Sequence, residues 1–316
     1  EADDSAGTPL AATPQGSLLR LLLEACLRPG DPVPFVALLK HPLARFGLAR
    51  DRMREGADAL ERMALRGSTA TVDLLALEAV FDVAIVRHKA DRHPPEWRIG
   101  IGDDALQAAR DVAAKISLAV APLASALTRS RDGSRVFSDE FTFADWAMRT
   151  GEALEAASAD ERGDLGGLWS GEAADTLATL LRGIIETDGQ MTADGPQWCD
   201  VVEALSASAS VKPRSMRHPR VFIFGALESR LQSMDLVVLG GLNEGNWPGQ
   251  TANDPFLSRT MKTGIGLEPP ERRIGQLAHD FQMACGTRRL IFTRSMRQGA
   301  APTVASRWLQ RLLALG

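Results

Sequence analysis

The sequence predicts an α/β fold with a large helical part: helices over most of the first 210 residues and a parallel sheet in the last third. Three observations predict it. Apolar residues recur at three- and four-residue spacing through the front two-thirds. Three short apolar runs follow at 220–225, 235–242 and 288–295, each bounded by glycine or charge, as buried strands are. A helix-patterned stretch at 269–285 separates the last two runs, and strand–helix–strand with long connections implies parallel pairing. The texture changes near "SASASVKPRSMRHPR" (206–220), which reads as a linker.

Each element has a local reason. Ser17 to Leu27 is strongly apolar, with Ser17 in N-cap position. "PG" and "DP" at 29–32 break the chain. The stretch 34–48 gives one short helix that must stop near His41, because Pro42 disfavours helix before it. In 51–66, Met53, Ala57, Leu60, Met63 and Ala64 share one face. Asp73 to Val86 repeats that pattern, and 91–100 reads as a loop. Asp103 to Leu127 is an Ala/Leu helix with a break at Pro122, followed by a turn at 130–135. Further helices fit Phe143–Ala157, Glu172–Thr187 and Gln197–Ser208. In the last third, 269–285 begins with proline and lines up Ile274, Leu277, Ala278 and Phe281. The stretch 302–313 reads as a helix started by Pro302 or capped by Ser306. No fixed-period repeat supports a solenoid.

Bulk properties narrow the function. A length of 316 residues suggests two domains, and 45% apolar with 24% charged residues is the balance of a soluble globular chain. No run approaches the roughly 18 apolar residues that a membrane span needs. The first residues, "EADDSAGTPLAATPQGS", do not form a signal peptide, so a cytoplasmic location is expected. Cys26, Cys199 and Cys285 form no CxxC pair and are expected to be small buried side chains, not a disulfide or zinc set. Charge is uneven. Residues 211–316 carry 15 Lys/Arg against 7 Asp/Glu, whereas residues 1–210 carry 21 against 33. A basic tail points to a polyanion partner; uneven surface charge of no consequence is the alternative.

Catalytic motifs are not found. No GxxxxGK[ST] run can cradle a triphosphate, and "GGLNEG" does not fit a dinucleotide fingerprint. His41, His88, His93, His218 and His279 are scattered and predict no metal site. No GxSxG or Cys/His constellation appears. No catalytic residue and no cofactor are therefore expected. The strongest local signal is "DLVVLGGLNEGNWPG" (235–249), a strand running into a polar loop. Gly240 and Gly241 can take backbone angles that other residues avoid. Asn243, Glu244 and Asn246 can bond locally or to a ligand. Trp247 can stack a base at a strand's carboxyl end, or anchor the loop from beneath. Arginines cluster around the third apolar run: Arg288, Arg289, Arg294 and Arg297, then Arg307 and Arg311. The planar guanidinium suits phosphate recognition. Asn243, Trp247, Arg288, Arg294, Arg297 and Arg307 are the candidate nucleic-acid contacts.

Taken in order, "LESRLQSMDLVVLGGLNEGNWP", "DPFLSR", "PPERRIGQLAHDFQMA", "RRLIFTRS" and "PTVASRWLQRL" resemble the end of the motor in AddB subunits of bacterial AddAB-type helicase–nucleases. The order is also similar to the second RecA-like domain of UvrD/RecB-type superfamily 1 helicases. "LLKHPLARFGL" resembles the opening of the helical domain inserted in that motor. The resemblance implies a start segment at 1–30 joining the motor-like domain, an all-α inserted domain at 31–210, and a RecA-like domain at 211–316. It also implies double-strand-break repair, with DNA (a single strand or a duplex end) and a partner helicase–nuclease subunit as partners, and no membrane. Two departures matter. Relatives carry a Lys-Gly-Leu-Glu type motif before the "GLNEG" loop, where this chain reads "GALESRLQSMD". They carry a Thr-Arg-Ala triplet whose arginine reaches the γ-phosphate, where this chain reads "ACGTRRL". The expectation is a degenerate motor half, the middle piece of a longer protein, that handles DNA without hydrolysing ATP. A purely structural subunit-interaction module and a part of an active helicase are the alternatives.

Overall fold

The computed structural model describes residues 2–67, 74–129, 136–187, 189–212, 218, 220–230, 232–250, 254, 256–268 and 270–315. The expected turn at 130–135 and Asp73 lie outside them. The elements alternate unevenly along the chain. Strands β1 (Asp3–Asp4) and β2 (Thr8–Pro9) precede helices α1 (Pro14–Leu27), α2 (Pro32–Leu39), α3 (Arg50–Leu60), α4 (Leu77–Ala90), α5 (Asp103–Ala119) and α6 (Ala121–Ala124). Next come β3 (Leu127–Arg129), β4 (Val136–Ser138), β5 (Phe141–Thr142), α7 (Phe143–Ser158), α8 (Glu172–Glu186), β6 (Thr192–Ala193), α9 (Gly195–Ser208) and β7 (Ser210–Val211). The last part holds β8 (Phe222–Ile223), β9 (Val237–Leu239), α10 (Arg259–Gly264), α11 (Pro270–Cys285), β10 (Leu290–Phe292), β11 (Arg297–Gln298), β12 (Ala301–Pro302) and α12 (Arg307–Leu315).

The chain divides into two compact units. One is Ala6–Arg217, the helical unit; the other is Glu1–Ser5 with His218–Gly316, the split unit. The helical unit is thus an insertion in the sequence of the split unit. Its ends pair antiparallel, Thr8 opposite Val211 and Pro9 opposite Ser210. The insertion begins at residue 6, where the resemblance implied residue 31, and ends near the expected linker. The reason is α1. It is buried on nearly every side, through Leu18, Leu19, Leu21, Leu22, Leu23 and Cys26, and it packs on α2, α7, α8 and α9. Its cap is Thr13, which accepts from the Gly16 amide, with Pro14 opening the helix; Ser17 sits inside.

Other starts and stops in the helical unit are local. Asp31 caps α2 through the Val33 amide, and α2 ends at Leu39 ahead of Pro42. The α5 pattern breaks at Val120, where Pro122 restarts the chain as α6. Asp194 and Gln197 form a reciprocal capping box at α9. Helices α3 and α5 approach so closely that a Cβ on Gly56 would lie 2.5 Å from the Ala108 carbonyl oxygen. The core closes on Trp146 and Trp198, stacked with centroids 6.4 Å apart. Both are fully buried with their N–H groups satisfied, Trp146 by the Ala193 carbonyl at 2.8 Å and Trp198 by Thr150 Oγ1 at 3.0 Å.

The split unit is α/β. β1 pairs parallel with β8, and β9 pairs parallel with β10, Ile291 opposite Val238. Helices α10 and α11 lie between β9 and β10 in sequence, the crossover that parallel pairing requires. The three expected strand regions thus all enter parallel ladders. Among the described residues they form two separate two-stranded sheets, with no large parallel sheet. One face of β9–β10 is half-covered, and Phe281 of α11 stacks on Phe292 at 6.0 Å. On the other face Val238 and Ile291 are 55% and 47% exposed. Among the described residues, no helix is long and apolar enough to cross a membrane.

Candidate functional site

The loop at 240–249 leaves the carboxyl end of β9 and is held from three directions. Gly241 and Gly245 take φ of 69° and 88°, which turns the chain back on itself. The Leu242 amide then donates to the Thr293 carbonyl at 2.9 Å, extending the parallel ladder past β10. The Glu244 amide donates to the Val304 carbonyl at 3.0 Å, and the Ser306 amide to the Leu242 carbonyl at 2.9 Å. Asn243 is the centre of this clasp. It is 7% exposed, and its Nδ2 donates to the Ser295 carbonyl at 2.8 Å and to Thr303 Oγ1 at 2.9 Å. Its Oδ1 accepts from the Ser295 amide at 3.0 Å. Both amide donors and the amide oxygen are therefore engaged within the fold.

Trp247 forms part of an aromatic cluster. Its ring lies 6.2 Å from Phe281 and 6.3 Å from Trp308, and its Nε1 donates to the Gly240 carbonyl at 3.2 Å. The Trp247–Pro248 peptide is cis. Ser306 Oγ donates to the Trp247 carbonyl and accepts from the Trp308 amide, so one hydroxyl ties the loop to the start of α12. Trp247 is thus the anchor of its loop.

The arginines divide by position. Arg307 is paired: its Nε donates to Glu244 Oε1 at 2.8 Å and its backbone amide to Glu244 Oε2 at 3.0 Å. The Arg307 guanidinium, hydrogen-bonded to Glu244, holds that carboxyl below its usual range. Arg288 precedes β10, at the amino end of the ladder, whereas Arg294 and Arg297 follow it at the carboxyl end, the same end as the 240–249 loop. Arg288 and Arg297 are exposed and Arg294 is half-buried. Among the described residues, the ion pairs of the split unit are Arg230–Asp280, Arg259–Glu271, Lys262–Asp254, Arg272–Glu268 and Arg307–Glu244. Among the described residues, Arg288, Arg294 and Arg297 have no carboxylate partner.

The cysteines also divide. Cys26 and Cys199 are buried, and burial pushes the Cys199 thiol up to about 12; Cys285 is exposed, against expectation, because α11 turns that residue outward. His279 is exposed, whereas its neighbour Asp280 is buried and holds Arg230 at 2.7 Å. Among the described residues, no cluster of three His, Cys, Asp or Glu could hold a metal.

Sequence reasoning missed a second basic locus, in the helical unit. A cavity of about 320 Å³ is lined by Lys40, Arg45, Arg50 and Arg54. Its signal was Arg50 and Arg54 four apart on one helix face, hidden by the net acidity of the front segment.

No protein-family model matches the chain, and no curated protein matches it significantly. What fold and site define is a class: an α/β unit with a helical insertion, whose strand-end loop is clasped shut and whose free cations are arginines.

Proposed function

We propose that the chain is a DNA-handling and scaffolding segment of a double-strand-break repair helicase–nuclease subunit of the AddB kind. In this reading β9, α11 and β10 belong to a RecA-like motor half that does not hydrolyse ATP itself, and the helical unit is its inserted domain. The observation that carries the reading is the set of arginines with no carboxylate partner among the described residues: Arg294 and Arg297 follow the carboxyl end of a parallel strand, where α/β sheets bind ligands. A guanidinium without an acidic partner is free to meet a phosphate in its own fork geometry. Asn243 and Arg307 are engaged internally and support the shape of that end, leaving the contact with DNA to Arg294 and Arg297.

The test is single-strand binding by the full chain at low salt, followed by fluorescence anisotropy. The double change Arg294→Ala and Arg297→Ala is expected to weaken binding about tenfold or more. No measurable binding, with or without those arginines, overturns the reading; hydrolysis of ATP by the chain overturns its non-catalytic part.

One observation favours a second reading, a module that only holds a partner subunit. Val238 and Ile291 sit side by side on an open face of β9–β10, and parallel sheets are normally covered on both faces. In that case partner binding is retained and adding DNA changes nothing in the titration.

A further inference from the structure

The helical unit carries a cavity between the segment after α2 and the first turns of α3. Its floor is apolar and closed: Leu39, Ala44, Met53 and Ala57 line it, each 3% exposed. Its rim is cationic: Lys40, Arg45, Arg50 and Arg54, with Asp58 as its one carboxylate. Two of these charges are compensated. Lys40 pairs with Glu61, and Asp58 is taken by Arg62 at 3.3 Å. Arg45 reaches Glu161 only at 3.8 Å, while Arg50 and Arg54 have no carboxylate partner among the described residues. Like charges four apart weaken a helix, and Arg50 and Arg54 are such a pair on the first turns of α3.

The walls are fixed. Arg45 and Phe46 donate their backbone amides to the Ala157 carbonyl at 2.8 and 2.9 Å, and Gly47 donates to the Ala159 carbonyl at 2.6 Å. His41 Nδ1 accepts from the Leu43 amide at 3.2 Å, so its Nε2 carries the proton of the neutral ring and donates to Ser17 Oγ at 3.0 Å. A rim of guanidinium groups over an apolar floor selects an anion with an apolar body. The volume, about 320 Å³, lies at the lower end of small-ligand sites and suits one unit of that kind.

We infer that this pocket binds a nucleotide, its phosphate on Arg50 and Arg54 and its base over Met53 and Ala57. The nucleotide is either free or one unit of a strand, since both present the same phosphate-and-base chemistry. The inference is independent of the arginines of the split unit and stands if their role fails.

The experiment uses the full chain and two probes: adenosine monophosphate by calorimetry and a labelled ten-nucleotide thymidine strand by anisotropy. The variants are Arg50→Glu/Arg54→Glu, the conservative Arg50→Lys/Arg54→Lys, and Lys89→Glu/Arg92→Glu as an equal charge change outside the pocket. The first is expected to weaken at least one probe about tenfold or more, the second less, and the third about twofold at most. Arg294→Ala/Arg297→Ala is expected to leave monophosphate binding unchanged, which separates this site from the one in the split unit. Loss of the monophosphate identifies a free-nucleotide site; loss of the strand alone identifies one unit of a bound strand. Equal losses in the first and third variants, or no binding of either probe to the unaltered chain, overturn the inference.

Discussion

The helical unit and the split unit are stabilised by different physics. The helical unit owns nearly all of the buried apolar surface, in one cluster that runs from Leu10 to Val211. Among the described residues, the split unit buries only Leu242 and Phe281 as large hydrophobics, and beside them the polar Asn243, Asp280 and Ser306. One region is held by non-directional burial. The other is held by directed contacts: the Asn243 clasp, the Arg230–Asp280 pair and the Trp247–Phe281–Trp308 cluster. Directed contacts fix geometry at a strand end without a large core. The same economy leaves apolar strand residues such as Val238 open.

The sharpest way to break the comparison is a core deletion. Trp198→Ala removes a fully buried ring and its bond to Thr150, and is expected to cost the helical unit about 3–5 kcal/mol in urea unfolding. A loss below about 1 kcal/mol would mean the core is not close-packed. Next comes Asn243→Ala in the split unit. It leaves the Ser295 amide without its partner, while the Ser295 carbonyl keeps Thr303 Oγ1, and is expected to cost about 1–3 kcal/mol. Because little core surrounds the clasp, the loss is expected as faster amide exchange over 295–306 while the helical unit keeps its protection. Uniform loss of protection across both units would contradict the division.

A smaller effect concerns pH. Burial holds the His41 pKa below its ordinary 6.5. The unfolded chain therefore takes up a proton first as pH falls, so the stability tied to neutral His41 is present above 6.5 and is lost as pH drops toward the folded-state value. The depressed carboxyls Asp111 and Asp160 act only lower, below 3.8. Melting of the helical unit between pH 7.5 and 5.5 is expected to fall less in His41→Gln than in the unaltered chain. Equal slopes would assign that pH dependence elsewhere.

Much of the helical unit was legible because its signals are local. Pro42 and Pro122 stop or break helices within one turn; in the split unit the same local spacing marks the covered face of α11, at Ile274, Leu277, Ala278 and Phe281. The Thr13 cap was legible too, since a threonine before Pro14 is a helix start, but the apolar run beginning after Ser17 drew the boundary inward. What spacing could not show was long-range pairing. β8 joins β1, more than two hundred residues earlier in the sequence, and not β9. Asn243 has the side chain that either a ligand contact or a clasp would use; only its partners at Ser295 and Thr303 decide between them. Arg307 is alike in type to Arg294, and what separates them is Glu244.

The proposed contact between unpaired arginines and nucleic acid has a direct signature in the salt dependence of strand binding. Neutralised strand phosphates release counterions, so log K should fall linearly with log salt, at about 0.7 per phosphate contacted. Replacing Arg294 and Arg297 with alanine is expected to reduce that slope by about 1.4. A slope near zero in the unaltered chain, or one unchanged by the two substitutions, would contradict it.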